Sequence, residues 1–297
     1  MSNHPPRHLV VATDFSPAAD AALARAGTLA QRLGATLSLL HVVEPLPVMS
    51  AWGDPGDGAW LGLEALQRAG ESELARQLAR HAGTPAAAAV ATCRVGLPRR
   101  DLGRLAQELG GDLLVIGARN ERRIGDRLLG STAQAAVHHV PLPVLVLRRP
   151  AASPWTRVLA ASDGSPGATA AIALAEGLAD WGEAHLLRVH PPLPEATLAL
   201  MQPAQTQLEA LVQGLERDAI ARAEAEAQAH PRWQAAFRRG AVIDTVLGEI
   251  ERRAIDLVAL GTRGHGPVLG SLLGSLGQAV LSRAGCDVLL VPQPAAT

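Results

Sequence analysis

The sequence contains no lysine; all 27 of its basic residues are arginine. A phosphate-binding loop of the Walker type, which needs a lysine to reach the phosphates, is therefore excluded, and so is Schiff-base chemistry. Tyrosine is also absent and phenylalanine occurs twice, so the core must be built from Ala, Leu and Val, the composition of helices packed closely on a sheet. Cys93 and Cys286 are the only cysteines, at unrelated positions, which argues against a disulfide framework or a thiolate metal site. No apolar run approaches the roughly twenty residues needed to span a bilayer. The net charge of −1 supplies no field that would gather nucleic acid or an anionic membrane, and neither is expected as a partner. The opening MSNHPPRHLVVATDF carries no apolar signal segment, so a cytoplasmic protein is expected.

What is present is present twice. Arg7-His-Leu-Val-Val-Ala-Thr-Asp14-Phe-Ser-Pro17 returns as Arg157-Val-Leu-Ala-Ala-Ser-Asp163-Gly-Ser-Pro166, and Leu39-Leu-His-Val42 as Leu186-Leu-Arg-Val189. The stretch from Gly261, GTRGHGPVLGSLLGS, has five glycines in fifteen residues and no carboxylate; a matching fifteen-residue segment runs from Gly117 to Ser131 and also ends Leu-Leu-Gly-Ser. A repeat of about half the chain is a domain duplication, because solenoid repeats are far shorter. The seam falls at Arg148-Arg-Pro-Ala-Ala-Ser-Pro154, giving domains over 1–150 and 151–297.

Each half alternates apolar strands with helical patterns. In the first, strands are expected over 9–13, 36–43, 87–94, 112–117 and 144–147. Helices are expected from Ser16-Pro17 to Gly34, over 61–81, over 99–109 and over 131–139. The second half repeats the order, with its third strand at 235–239. Strands that read as continuous apolar runs belong to parallel sheets covered on both faces.

In such sheets ligands bind beyond the carboxyl ends of the strands. Asp14 and Asp163 close the first strand of each half, Val42 and Val189 lie near the end of the second, and the glycine segments follow the fourth. Glycines let main-chain amides approach an anion closely, and the following helix start adds free N–H donors and a partial positive charge. Gly-rich loop, helix start and serine hydroxyl together form a cradle for a polyphosphate that needs no lysine.

The spacing Gly261-x2-Gly264-x9-Gly274-Ser275, with Asp163 after the first strand, resembles the ATP-binding class of universal stress proteins, and the resemblance extends over both halves. The resemblance implies two Rossmann-like domains, each an open five-stranded parallel sheet of order 3-2-1-4-5. It maps adenosine contacts to Asp163 and Val189 and phosphate contacts to Gly261, Gly264, Gly274 and Ser275. In the first half the equivalents are Asp14, Val42, Gly117, Gly130 and Ser131, with Asn120 replacing the second glycine. It also implies that strands 144–147 and 288–291 pair the halves into an internal pseudo-dimer. Two chains associating as a homodimer and a regulatory protein partner are further implications.

The expected ligand is ATP with Mg²⁺ or Mn²⁺, although no dedicated carboxylate cluster is visible. A stress-response nucleotide-binding protein is expected, with no catalytic residues and at most weak ATP hydrolysis. The alternatives are a slow ATPase, for which His265 is the one candidate base, and a nucleotide-free interaction scaffold. Asp14 and Asp163 each precede Ser-Pro, so each also suits a local role at the start of a helix.

Overall fold

Ten strands pair into one continuous sheet in the computed structural model, which describes residues 5–45, 58–118, 137, 140–149, 154–178, 182–192, 205–262 and 273–293. The strands are β1 His8–Ala12, β2 Thr36–Val43, β3 Val90–Val95, β4 Leu113–Gly117 and β5 Val144–Leu147 in the first half. In the second they are β6 Arg157–Ala161, β7 Glu183–His190, β8 Gln234–Arg239, β9 Leu257–Gly261 and β10 Asp287–Val291. Their order across the sheet is β3-β2-β1-β4-β5-β10-β9-β6-β7-β8. Pairing is parallel throughout except at the centre, where β5 meets β10 antiparallel with Val146 opposite Val288 and Val144 opposite Leu290. The strands of each half keep the order 3-2-1-4-5 and the last strands pair as expected, but the junction corrects the expectation of two five-stranded parallel sheets to one mixed ten-stranded sheet. Each half would otherwise leave the free edge of its last strand exposed, and the two edges satisfy each other.

The described helices are α1 Pro17–Leu33, α2 Gly58–Arg80, α3 Pro98–Glu108, α4 Pro166–Leu178, α5 Gln205–Ala229, α6 Val242–Arg252 and α7 Ser275–Arg283. They cover both faces of the sheet, because strand residues alternate between two buried clusters. Leu9 and Val11 belong to the cluster beneath α1 and α4, and Val10 to the one beneath α3, α6 and α7. Helix α1 begins where the sequence places it: Ser16 accepts from the Ala19 amide and Pro17 occupies the first turn, while Gly34 ends it in the left-handed region at φ 65°.

Two differences from expectation bear on the packing. β1 ends at Ala12, so Asp14 lies two residues beyond it. The run expected as a strand over 87–94 is a short 3₁₀ turn, Pro85–Ala88, followed by β3. Pro85 fixes the turn, and Ala86 is buried so tightly on α1 that a Cβ at Gly27 would lie 2.5 Å from the Ala86 amide nitrogen. The alanines look apolar enough for a strand but pack as a turn, and pairing with β2 starts only at Val90 opposite Ser38. The helix expected over 131–139 lies outside the described residues except for Val137, which is buried. Among the described residues no helix is long and apolar enough to cross a membrane.

A polar cluster closes the seam between the halves. Asp287, the first residue of β10, is 0% exposed. Its carboxylate accepts from the amides of Arg148 (2.7 Å) and Arg149 (3.0 Å) and from the Trp155 indole (2.7 Å). It also pairs with the Arg25 guanidinium of α1 at 2.8 Å. That guanidinium stacks over the Trp155 ring, 4.5 Å from its centroid. Burial lowers the pKa of Arg25, and the Asp287 charge opposes that shift.

At the far edge, Glu249 of α6 accepts from Arg238 of β8 and Arg253, each at 2.7 Å, and from Arg252. Burial disfavours its charged form, but the hydrogen bonds from the three guanidiniums outweigh this and lower its pKa to about 2. A carboxylate with a depressed folded-state pKa stabilises the fold above its unfolded pKa and loses that contribution as pH falls through the folded value. Replacing Glu249 by Gln is therefore expected to flatten the acid limb of the stability curve between about pH 4.5 and about pH 2. Urea titrations at stepped pH read this directly; an unchanged limb would place the acid sensitivity elsewhere.

Candidate functional site

In the second half, three neighbouring strands end together. Ala161 of β6 lies opposite Leu187 of β7 and Leu260 of β9. One or two residues further along, Asp163, Val189 and Gly261 therefore reach the same rim of the sheet. Helix α7 starts at that rim, because the Gly274 amide donates to the Thr262 carbonyl at 2.6 Å and the Thr262 amide to Val291 at 2.9 Å. Asp163, Val189, Gly261, Gly274 and Ser275 are thus brought together by strand register and one short return. Gly264 falls within 263–272, as does His265, and these lie outside the described residues.

The glycines at this rim do different things. A Cβ at Gly261 would lie 2.8 Å from both the Ala168 amide nitrogen and the Gly167 carbonyl carbon. Helix α4 crosses so closely that only hydrogen fits, and this requirement comes from the protein alone. Gly117 meets the same constraint against the main chain of Ala18 and Ala19 on α1. Gly274 is different. Its backbone, φ −72° and ψ 167°, suits any residue, and its N-cap position provides no side-chain acceptor for the helix amides. Among the described residues, an added Cβ would come no nearer than an ordinary 3.4 Å, to Thr262 O.

The two aspartates hold their own turns. Asp163 Oδ1 accepts from the Ser165 amide at 2.9 Å and Asp14 Oδ1 from the Ser16 amide at 3.0 Å. The local role at the helix start is therefore real in both halves, and both residues remain exposed at the rim.

The first half repeats the frame with different fittings. Asp14, Val42 and Gly117 stand at the same relative places, but Val42 is only 7% exposed while Val189 is half-buried. Phe15 takes a left-handed φ of 62° where the second half has Gly164 at 79°. Its ring lies 4.3 Å from that of His41. Asn120, Gly130 and Ser131, and the arginines at 119, 122, 123 and 127, lie outside the described residues.

Neither cysteine is set up as a nucleophile. Burial pushes the Cys286 thiol up to about 12 and also raises that of Cys93, so neither offers a thiolate at neutral pH. Among the described residues no three His, Cys, Asp or Glu side chains converge to hold a metal ion.

Residues 6–148 and 154–292 each match the profile of the Universal stress protein family. The chain belongs to the universal stress protein family. It carries the domain twice. A universal stress protein of Thermus aquaticus is 39% identical over 137 residues, spanning 45% of this chain and 96% of its own length. A tandem-length relative, a universal stress protein of Mycolicibacterium smegmatis, is 25% identical over 300 residues, covering 95% of this chain and 96% of the relative. The crystal structure of a universal stress protein from Archaeoglobus fulgidus superposes with a TM-score of 0.64 at 18% identity, covering 97% of this chain and 99% of that one, which speaks for the fold.

Within this universal stress protein, sequence reasoning missed the residues behind the Asp163 turn. Ser162 Oγ donates to Glu226 Oε1 at 2.6 Å, and Arg188 Nη2 donates to the Asp163 carbonyl at 2.8 Å. The signal was available in the repeat: His41 and Gln77 occupy the places of Arg188 and Glu226, so the two copies diverge in charge at this spot.

Proposed function

We propose that the second half binds an adenine nucleotide, ATP in the first instance, and that the protein acts in stress responses as a regulatory nucleotide-binding protein and not as an enzyme. The observation that carries this is Gly274. Neither its backbone angles nor its packing against the described residues calls for glycine, yet it stands where the amides of a helix start face the rim that carries Asp163 and Val189. A glycine at the N-cap, with no side chain standing over the helix amides, is what close approach of an anion to those amides requires. Ser275 beside it is exposed and adds a hydroxyl. Asp163 would accept from the nucleoside, and the half-buried Val189 offers apolar surface to a base. Mg²⁺ or Mn²⁺ would enter with the triphosphate, since the described side chains form no metal cluster of their own. Nucleotide would favour one arrangement of the rim over others, and a protein partner would read that population.

Native mass spectrometry of the purified full-length protein, with calorimetric titration of ATP, tests this. A co-purifying adenine nucleotide or a saturable heat is expected, with negligible steady-state phosphate release. Neither ligand nor heat would leave an interaction scaffold as the function. Sustained phosphate release would instead make the protein an ATPase.

A further inference from the structure

The turn that presents Asp163 is tied on the side away from Val189. Successive strand residues point to opposite faces, so Arg188 lies on the face covered by α4 and α5. Its Nη2 donates to the Asp163 carbonyl at 2.8 Å, and its Nη1 lies 3.5 Å from Glu226 Oε2. Glu226 in turn accepts from Ser162 Oγ at 2.6 Å, and Ser162 Oγ accepts from the Gly164 amide at 3.0 Å. The loop of contacts therefore closes on residues 162–164 from behind. Both charged side chains are largely buried, at 15% and 13% exposure, so the pair is shielded from the screening that weakens surface ion pairs. Gly164 is part of the arrangement: its φ is 79°, and a Cβ there would stand 3.2 Å from the Arg188 guanidinium.

The first half makes the corresponding contacts with different groups and with Gln77 in place of the Glu226 carboxylate. Thr13 Oγ1 donates to Gln77 Oε1 at 2.9 Å, and the Phe15 amide donates to Thr13 Oγ1 at 2.9 Å. His41 Nδ1 donates to the carbonyl of Thr13, one residue before the aspartate, where Arg188 grips the aspartate itself.

We infer that Arg188, braced by Glu226, is a positioning residue that fixes the main chain at Asp163 and so sets how tightly the second half holds the nucleoside end of its ligand. This rests on the nucleotide-binding reading above. Arg188 acts through Asp163 and not on the phosphates, and that separates it from an ordinary anion-binding arginine. Its contribution is the same for adenosine as for ATP.

The test is titration of the full-length protein with adenosine, AMP and ATP. Arg188→Ala is expected to weaken all three by one common factor, roughly tenfold, the size of one charge-assisted hydrogen bond. Arg188→Lys, which can still donate to the Asp163 carbonyl, recovers part of the loss. Because Arg188→Ala leaves Glu226 without its counter-charge, the double variant Arg188→Ala/Glu226→Gln supplies a well-folded comparison, copying the neutral Gln77 of the first half, and shows the same common factor. A loss that grows from adenosine to ATP would make Arg188 a phosphate ligand and overturn the inference. Unchanged affinities for all three would overturn it equally. Wild-type protein that binds none of the three would instead bring down the nucleotide-binding reading.

Discussion

Asp287→Ala is expected to cost about 3–5 kcal/mol of stability, the range found when one member of a buried ion pair is removed. The wild-type carboxylate meets four donors: two main-chain amides at 148 and 149, the Trp155 indole and the Arg25 guanidinium. Alanine leaves all four facing a small void, and the guanidinium loses its nearest counter-charge. Since folded domains are stable by only about 5–15 kcal/mol in total, such a loss would be a large share. The midpoint of urea unfolding measures it, with the slope checked for constancy so that the shift reports stability. Asp287→Asn keeps an acceptor oxygen and is expected to fall between the two. A loss below about 1 kcal/mol, the level of an exposed ion pair, would mean that the seam is held by strand pairing alone.

The second large effect separates two kinds of glycine. Gly261→Ala is expected to destabilise the protein by about 1–3 kcal/mol, as overpacking does, because the new methyl would lie 2.8 Å from main-chain atoms of α4 that cannot turn aside. Gly274→Val should cost about 1 kcal/mol, typical of N-cap exchanges, because the described residues around it leave ordinary clearance for a Cβ. Binding is expected to invert this order. Gly274→Val should lower ATP affinity on the order of a hundredfold, equivalent to about two hydrogen bonds to a charged group. Thermal melts and calorimetry on the same two preparations resolve both halves of the prediction. Full ATP affinity in Gly274→Val would remove the main support for a main-chain phosphate cradle.

Much of the architecture could be read from the repeat. Apolar runs such as Leu113–Gly117 alternate with capped helices, and the pair Ser16 and Gly34 marked both ends of α1 because each residue has a local chemical reason to stand there. The alanines from Pro85 misled because periodicity does not register that a turn packs on Gly27. At the rim, Asp163, Val189, Gly261, Gly274 and Ser275 were found because both copies keep them. Comparing copies is blind to what only one copy has. Asp287 corresponds in the repeat to Pro143 of the first half, and its donors at 148 and 149 correspond to Pro292 and Gln293, the first of which has no amide hydrogen. Nothing repeated could reveal that carboxylate. Arg188 and Glu226 did differ visibly from His41 and Gln77, but their partnership joins a strand to a distant helix, and the repeat alone does not bring the two together.

The antiparallel meeting of β5 and β10 has an outcome for any binding partner. Because every other neighbour runs parallel, the strands of one half finish at the top of the sheet while those of the other finish at the bottom. The aspartate rims thus look in opposite directions, like the two ends of a barbell. One small molecule cannot touch both. Anything held at the Asp163 end would therefore leave the Asp14 end facing away from it.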